Sequence, residues 1–208
     1  MQSDINREKL AIISDYILPG KSSAMFRTLI GILLCCIGII AIAISAKIRV
    51  PFWPVPITMQ TFAITMIGMT YGLKYGTLTI IGYLFAGILG FDVFAGTAGD
   101  KSPIEYMMGG TGGYLVGFVL ATMFMGACSR HGRGKTIFEA LFIILISHAI
   151  IYILGILWLG NVYGWGGNLD IMKVGFYNFV LSDLLKIALA STTLPLIWNT
   201  LDKHRGYV

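Results

Sequence analysis

Long apolar runs separated by short polar or glycine- and proline-rich breaks make up most of this chain, and six of the runs suit a hydrocarbon core of about 30 Å. They cover Thr28–Ala46, Thr58–Gly72, Tyr75–Phe91, Thr111–Ala127, Phe138–Gly160 and Phe176–Trp198. The pattern predicts an all-α integral membrane protein with six transmembrane helices. Residues 28–198 form its membrane domain, between tails at 1–27 and 199–208. The first run is too long for a signal-peptide core and follows a mostly polar stretch, so no cleavage is expected there. Within that stretch, Leu10, Ile13 and Ile17 share one helical side, with Arg7, Glu8 and Asp15 elsewhere. This suits an interfacial helix over residues 4–18, and a disordered tail about equally.

Composition agrees with the pattern. Of 208 residues, 56% are hydrophobic and 12% charged, where a soluble domain carries about 25% charged residues. The lipid bilayer is therefore the first partner. The net charge of +5 does not imply nucleic acid, because the basic residues form no stripe. Arg7, Lys9, Lys21, Arg27, Lys74, Arg130, Arg133, Lys135, Lys203 and Arg205 fall on one side of the six-span layout; Lys47, Arg49, Lys101 and Lys173 fall on the other. That bias predicts both termini in the cytoplasm of a cell inner (plasma) membrane, and a ligand pocket on the extracytoplasmic side. Cys35, Cys36 and Cys128 have no metal-binding spacing and read as buried, reduced thiols. His131, His148 and His204 are equally scattered, so no metal is expected.

Two charges interrupt the last apolar run, in Ser182-Asp183-Leu184-Leu185-Lys186. Each costs about 2.5–3.5 kcal/mol at mid-membrane depth on insertion scales. Three residues apart on a helix, they lie about 60° apart in azimuth and about 4.5 Å in rise, so both point into the same space. That space is the candidate binding site. An ion pair that merely holds the bundle is the plain alternative, although desolvation offsets most of what such a pair contributes. Ser182 and Lys186 also have the spacing of a Ser/Lys hydrolase dyad, but Asp183 would keep Lys186 charged and a poor base. No enzyme is expected.

The loops add to this picture. Val50-Pro51-Phe52-Trp53-Pro54-Val55-Pro56 cannot be helical, because proline lacks the amide donor and restricts its predecessor. It reads either as a rigid turn with interfacial aromatics or as a wall over the site. Thr58 is suited to cap the helix that follows, with Gln60 in its first turn. Gly109-Gly110-Thr111-Gly112-Gly113 superficially resembles a phosphate loop but has no following Lys and no preceding strand. Close helix packing and backbone contact with a small ligand are its two useful readings.

Taken in order, several segments resemble the BioY family, the biotin-binding S components of energy-coupling-factor (ECF) vitamin transporters. They are Pro54-Val55-Pro56-Ile57-Thr58-Met59-Gln60-Thr61, Tyr83-Leu84-Phe85-Ala86-Gly87, Val93-Phe94-Ala95-Gly96, Thr111-Gly112-Gly113-Tyr114-Leu115-Val116-Gly117-Phe118 and Asp183-Leu184-Leu185-Lys186. The likeness runs from about residue 30 to 198. It departs before the last motif, where Asn178-Phe179-Val180-Leu181-Ser182 stands in place of a segment rich in proline and glycine. That change should let the last helix begin earlier.

The resemblance implies high-affinity capture and uptake of biotin, bound as a transported ligand and not as a cofactor. Asp183 would accept from a ureido N–H; Lys186 would donate to the urea carbonyl or to the valerate carboxylate. Phe52, Trp53 and Tyr114 would cover the apolar bicycle. Gln60 and the Gly96-Thr97 backbone would supply further donors. An ECF membrane subunit and ATPase subunits are the implied partners, the former docking on small residues of the first helix such as Ala41 and Ser45. A solitary secondary transporter of biotin and an S component for another vitamin are the alternatives.

Overall fold

The computed structural model describes residues 12–13, 23–51, 53–96 and 102–204. Phe52 and Thr97 lie outside the described residues, as does most of the N-terminal stretch read as an interfacial helix.

Helix α1, Ala24–Lys47, starts where the Ser23 hydroxyl accepts from the Phe26 amide at 3.3 Å. One face looks outward through Leu29, Ile32, Ile40 and Ile44, while Gly38 and Ile42 face inward. A Cβ at Gly38 would lie 2.6 Å from the Thr79 side chain, so α1 needs glycine there to reach its neighbour. Strands β1, Arg49–Val50, and β2, Ile57–Thr58, pair antiparallel in the register Arg49↔Thr58 and Val50↔Ile57. The pairing pinches the proline-rich segment into a loop, as its lack of helical capacity requires.

Element α2, Gln60–Ile88, consists of two helices joined across a kink at Gly72, where φ is 72° and ψ is −178°. Such a positive φ is open to glycine at little cost. The short α3, Pro103–Met108, begins with a capping box in which Ser102 and Glu105 satisfy each other's amides. Helices α4, Gly112–Arg130, and α5, Ile137–Tyr163, pack closely through glycines. A Cβ at Gly113 would lie 2.3 Å from the Leu154 carbonyl oxygen, and one at Gly117 would lie 2.8 Å from the Ile151 Cα. The glycine-rich motif around Thr111 is thus a packing device. The last helical run begins at Ile171, passes through a π-helical turn at Lys173–Tyr177 and continues as α6, Asn178–His204. With no proline or glycine at 178–182 to stop it, the helix does begin early.

The predicted count of six transmembrane helices is corrected. Among the described residues, four helices are long and apolar enough to cross a membrane: Ala24–Lys47, Gly112–Arg130, Ile137–Tyr163 and Lys173–Lys203. The second and third predicted spans are the two helices that α2 joins across Gly72, folded back so that Gln60 reaches Tyr83. The halves of α2 rise about 18 Å before Gly72 and about 24 Å after it, against a hydrocarbon core of about 30 Å. Gln60, Lys74 and several threonines and glycines also dilute its apolar character. The cytoplasmic placement of both termini and the outward-facing pocket rested on the count of six. What stands is an all-α, multi-pass membrane protein with six α-helical elements among the described residues.

The cysteine reading is corrected as well. Cys36 is exposed on α1, and Cys35 and Cys128 are half-buried; all three are free thiols.

Candidate functional site

The site forms where α6 meets the start of α2, with α4 and α5 closing the other sides. Asp183 and Lys186 do face the same space, one turn apart, and the side chains of both are only 7% exposed. Lys186 Nζ donates to Asp183 Oδ1 at 2.7 Å, to the Thr58 carbonyl at 2.6 Å and to Thr61 Oγ1 at 3.3 Å. Thr61 Oγ1 in turn donates to Asp183 Oδ1 at 3.2 Å. Tyr152 on α5 donates to the other carboxylate oxygen, Oδ2. The pair is therefore held from β2, α2 and α5 and is not left to itself. That answers the cost of burying charge, which falls only when both ions are paired and hydrogen-bonded.

Beside the pair lies a cavity that is partly open to the outside. Polar groups enter it from Thr58, Gln60, Thr61, Thr111, Tyr152, Asp183 and Lys186. Its apolar and aromatic walls come from Val55, Pro56, Tyr106, Tyr114, Leu115, Phe118, Ile151 and Phe179. A mostly apolar space with a few placed polar groups is the usual build of a small-molecule site.

Local sequence explains the placement. Gln60 opens α2, its amide donating to the Thr58 hydroxyl at 3.3 Å, so Thr58 serves that helix start as its side chain allows. The formal cap position is Met59, which has no side-chain bond to the helix. Gln60 Nε2 donates to the Tyr83 hydroxyl at 2.7 Å, and Tyr83 donates to the Val93 carbonyl at 3.2 Å. Tyr114 donates to the Gly175 carbonyl at 2.7 Å, in the π-helical turn ahead of α6. That turn thereby fixes one aromatic wall.

A second, more open hollow adjoins the first and shares Pro56, Tyr106 and Thr111 with it. This vestibule is lined further by Arg49, Trp53, Gly96, Glu105 and Tyr163. Trp53 is 64% exposed and meets Tyr163 edge to face at 5.5 Å between ring centroids. Burial pushes the Tyr106 phenol up to about 12, and the positive charge of Arg49 pulls it part of the way back.

Of the residues singled out from sequence, Asp183, Lys186, Gln60 and Tyr114 share the inner cavity, whereas Trp53 and Gly96 belong to the vestibule. Tyr152, Thr61 and Phe179 were missed. Tyr152 is the one hydroxylated residue within Ala149-Ile150-Ile151-Tyr152-Ile153-Leu154, a signal available in the sequence. Thr61 gave no such signal beyond its place next to Gln60.

His148, one turn from Tyr152, bonds the Ile144 carbonyl through Nδ1 at 3.0 Å, as a packing histidine does. Its buried Nε2 has no hydrogen-bond partner, and neither has the Thr122 hydroxyl. No hydrogen bond joins Ser182 to Lys186 among the described residues, since Lys186 is committed to other acceptors. No cluster of three or more His, Cys, Asp or Glu among the described residues could hold a metal ion.

Comparison with known proteins bears on this geometry. The BioY family model matches residues 20–203. A probable biotin transporter BioY of Rickettsia prowazekii is 33% identical over 162 residues, 78% of this chain and 80% of its own. The biotin transporter BioY of Thermotoga maritima is 35% identical over 153 residues, 72% of this chain and 85% of its own. In three dimensions the chain is similar to a crystal structure of the S-component for biotin from an ECF-type ABC transporter. The TM-score is 0.69 at 21% identity, covering 86% of this chain and 95% of that one. This last likeness is one of fold.

Proposed function

The chain belongs to the BioY family, and on that footing we propose that it captures biotin in the inner cavity, as the substrate-binding membrane subunit of an ECF-type transporter. The observation that carries this reading is the buried Asp183–Lys186 pair opening onto a mostly apolar cavity. Biotin matches such a cavity: a ureido ring with two N–H donors and one carbonyl, fused to an apolar thioether ring. A carboxylate offers about four lone-pair directions, and Asp183 already receives Lys186, Thr61 and Tyr152. One direction is left for a ureido N–H. Gln60 has a second amide N–H beyond the one given to Tyr83, available to the urea carbonyl. Tyr114, Phe118 and Phe179 offer apolar cover to the ring system.

In this reading the protein is a transport protein of the cell inner (plasma) membrane and not an enzyme. It has no nucleotide motif of its own, so uptake driven by ATP hydrolysis requires an ECF membrane subunit and ATPase subunits. The proposed role is tested by titrating detergent-purified protein with biotin, and then with thiamine and riboflavin. Saturable biotin binding supports it; binding of another vitamin in place of biotin keeps the class of function and overturns the ligand. Uptake that persists in cells lacking every ECF subunit, and that a protonophore abolishes, would favour a solitary secondary transporter.

A further inference from the structure

The orientation of the ligand follows from how the charges are spent, given the biotin reading of the inner cavity. An ammonium has three donors, and Lys186 has three acceptors within reach: Asp183 Oδ1, the Thr58 carbonyl and Thr61 Oγ1. Its charge is neutralised at 2.7 Å by Asp183. A ligand carboxylate placed against Lys186 would have to sit beside the Asp183 carboxylate, in a buried site where like charges repel strongly. The inner cavity therefore suits a neutral polar head and disfavours an anionic tail.

The vestibule has the opposite character. Arg49 is the one cation lining it among the described residues, and it has no ion pair there. Lys47, close by in sequence, is already held by Asp92 at 2.7 Å and by the Phe94 carbonyl at 2.9 Å. Glu105, the vestibule's acid, accepts from the Ser102 amide at 2.8 Å within the capping box of α3. That bond and the positive end of the helix offset part of its charge. The vestibule shares Pro56, Tyr106 and Thr111 with the inner cavity, so a ligand seated by its head in one can extend its tail into the other. A guanidinium is also the side chain whose planar fork best matches a carboxylate.

We propose that Arg49 is a specificity-determining residue that receives the ligand's carboxylate in the vestibule, while the ureido head lies against Asp183. Trp53 and Tyr163 flank the path of the tail.

The test compares biotin with biotin methyl ester, which removes the tail's charge, on wild-type protein and on the Arg49→Gln and Arg49→Lys variants. Arg49 is exposed, so neither variant threatens folding. Wild-type protein should prefer biotin over the ester by about tenfold or more, in keeping with a charge-assisted contact. Arg49→Gln should lose most of that preference with its affinity for the ester unchanged, and Arg49→Lys should restore part of it. Full preference in Arg49→Gln, or none in the wild type, overturns the inference and leaves biotin binding intact. Failure of the wild type to bind either compound overturns the biotin reading and this inference with it.

Discussion

Both the inner cavity and the vestibule contain charge, but they hold it in contrasting ways. Asp183 and Lys186 are almost fully buried and are fixed by Thr58, Thr61 and Tyr152. Arg49 stands exposed in the vestibule with no ion pair among the described residues. A buried, saturated pair presents directional hydrogen-bonding capacity with little net charge. An open cation attracts anions over a distance but is screened by salt. Recognition of a neutral head and of an anionic tail are thus assigned to two adjoining places.

The largest expected effect comes from breaking the inner pair. Lys186→Ala leaves Asp183 buried without its counter-ion, a change that typically costs about 3–5 kcal/mol. Thermal unfolding in detergent should fall markedly, and biotin affinity should fall at least tenfold, or about 1.4 kcal/mol. The double variant Asp183→Asn with Lys186→Met separates the two consequences. Removing both charges should restore much of the stability and none of the affinity. Were affinity to return with stability, the pair would be only a structural clasp.

Next in size is the platform beneath both regions. Gly113→Ala pushes a methyl group to within 2.3 Å of the Leu154 carbonyl oxygen, and forced overpacking of this kind costs about 1–3 kcal/mol. A lower unfolding temperature is expected. An unchanged one would show that α4 and α5 have room to move apart.

Tyr152→Phe probes the inner pair more finely. It deletes one hydrogen bond to a charged group, worth about 1.5–3 kcal/mol, while keeping the ring and its edge-to-face contact with Phe176. Biotin affinity should fall about tenfold with little change in expression or oligomeric state. An unaltered affinity would mean that Asp183 does not depend on Tyr152 to face the ligand.

The smallest effect belongs to the vestibule and should respond to salt. Raising ionic strength toward about 1 M shortens the screening length to about 3 Å. The preference for biotin over its methyl ester should shrink, with affinity for the ester nearly constant. The opposite pattern, an ester affinity that collapses with salt, would place the exposed charge in head recognition.

Much of this arrangement was legible in the sequence because burying charge is costly. Asp183 and Lys186 stood out against their apolar run, and helical spacing alone put them on one face. Gln60 and Tyr114 followed from their motifs, and both line the same cavity. Tyr152 and Thr61 were not found, because their role arises from contacts 31 and 122 residues away in the chain. The six-span reading failed at Gly72 for a related reason. Two apolar stretches separated by a glycine and a lysine look like two spans, and they do form two helices folded back at Gly72, but each is short against the hydrocarbon core. The vestibule was only partly foreseen: Trp53 was assigned to cover the ligand's rings, yet it lies beside Tyr163, away from the inner cavity's lining.

Calorimetric titration of purified protein with biotin shows whether the buried pair is a binding device. Wild-type protein and the Asp183→Asn, Lys186→Met double variant would be compared at matched thermal stability. Wild-type protein should bind biotin saturably, and the folded double variant should lose at least tenfold in affinity, about 1.4 kcal/mol. No biotin binding by the wild type, or undiminished binding by the double variant, would contradict a binding role for the pair.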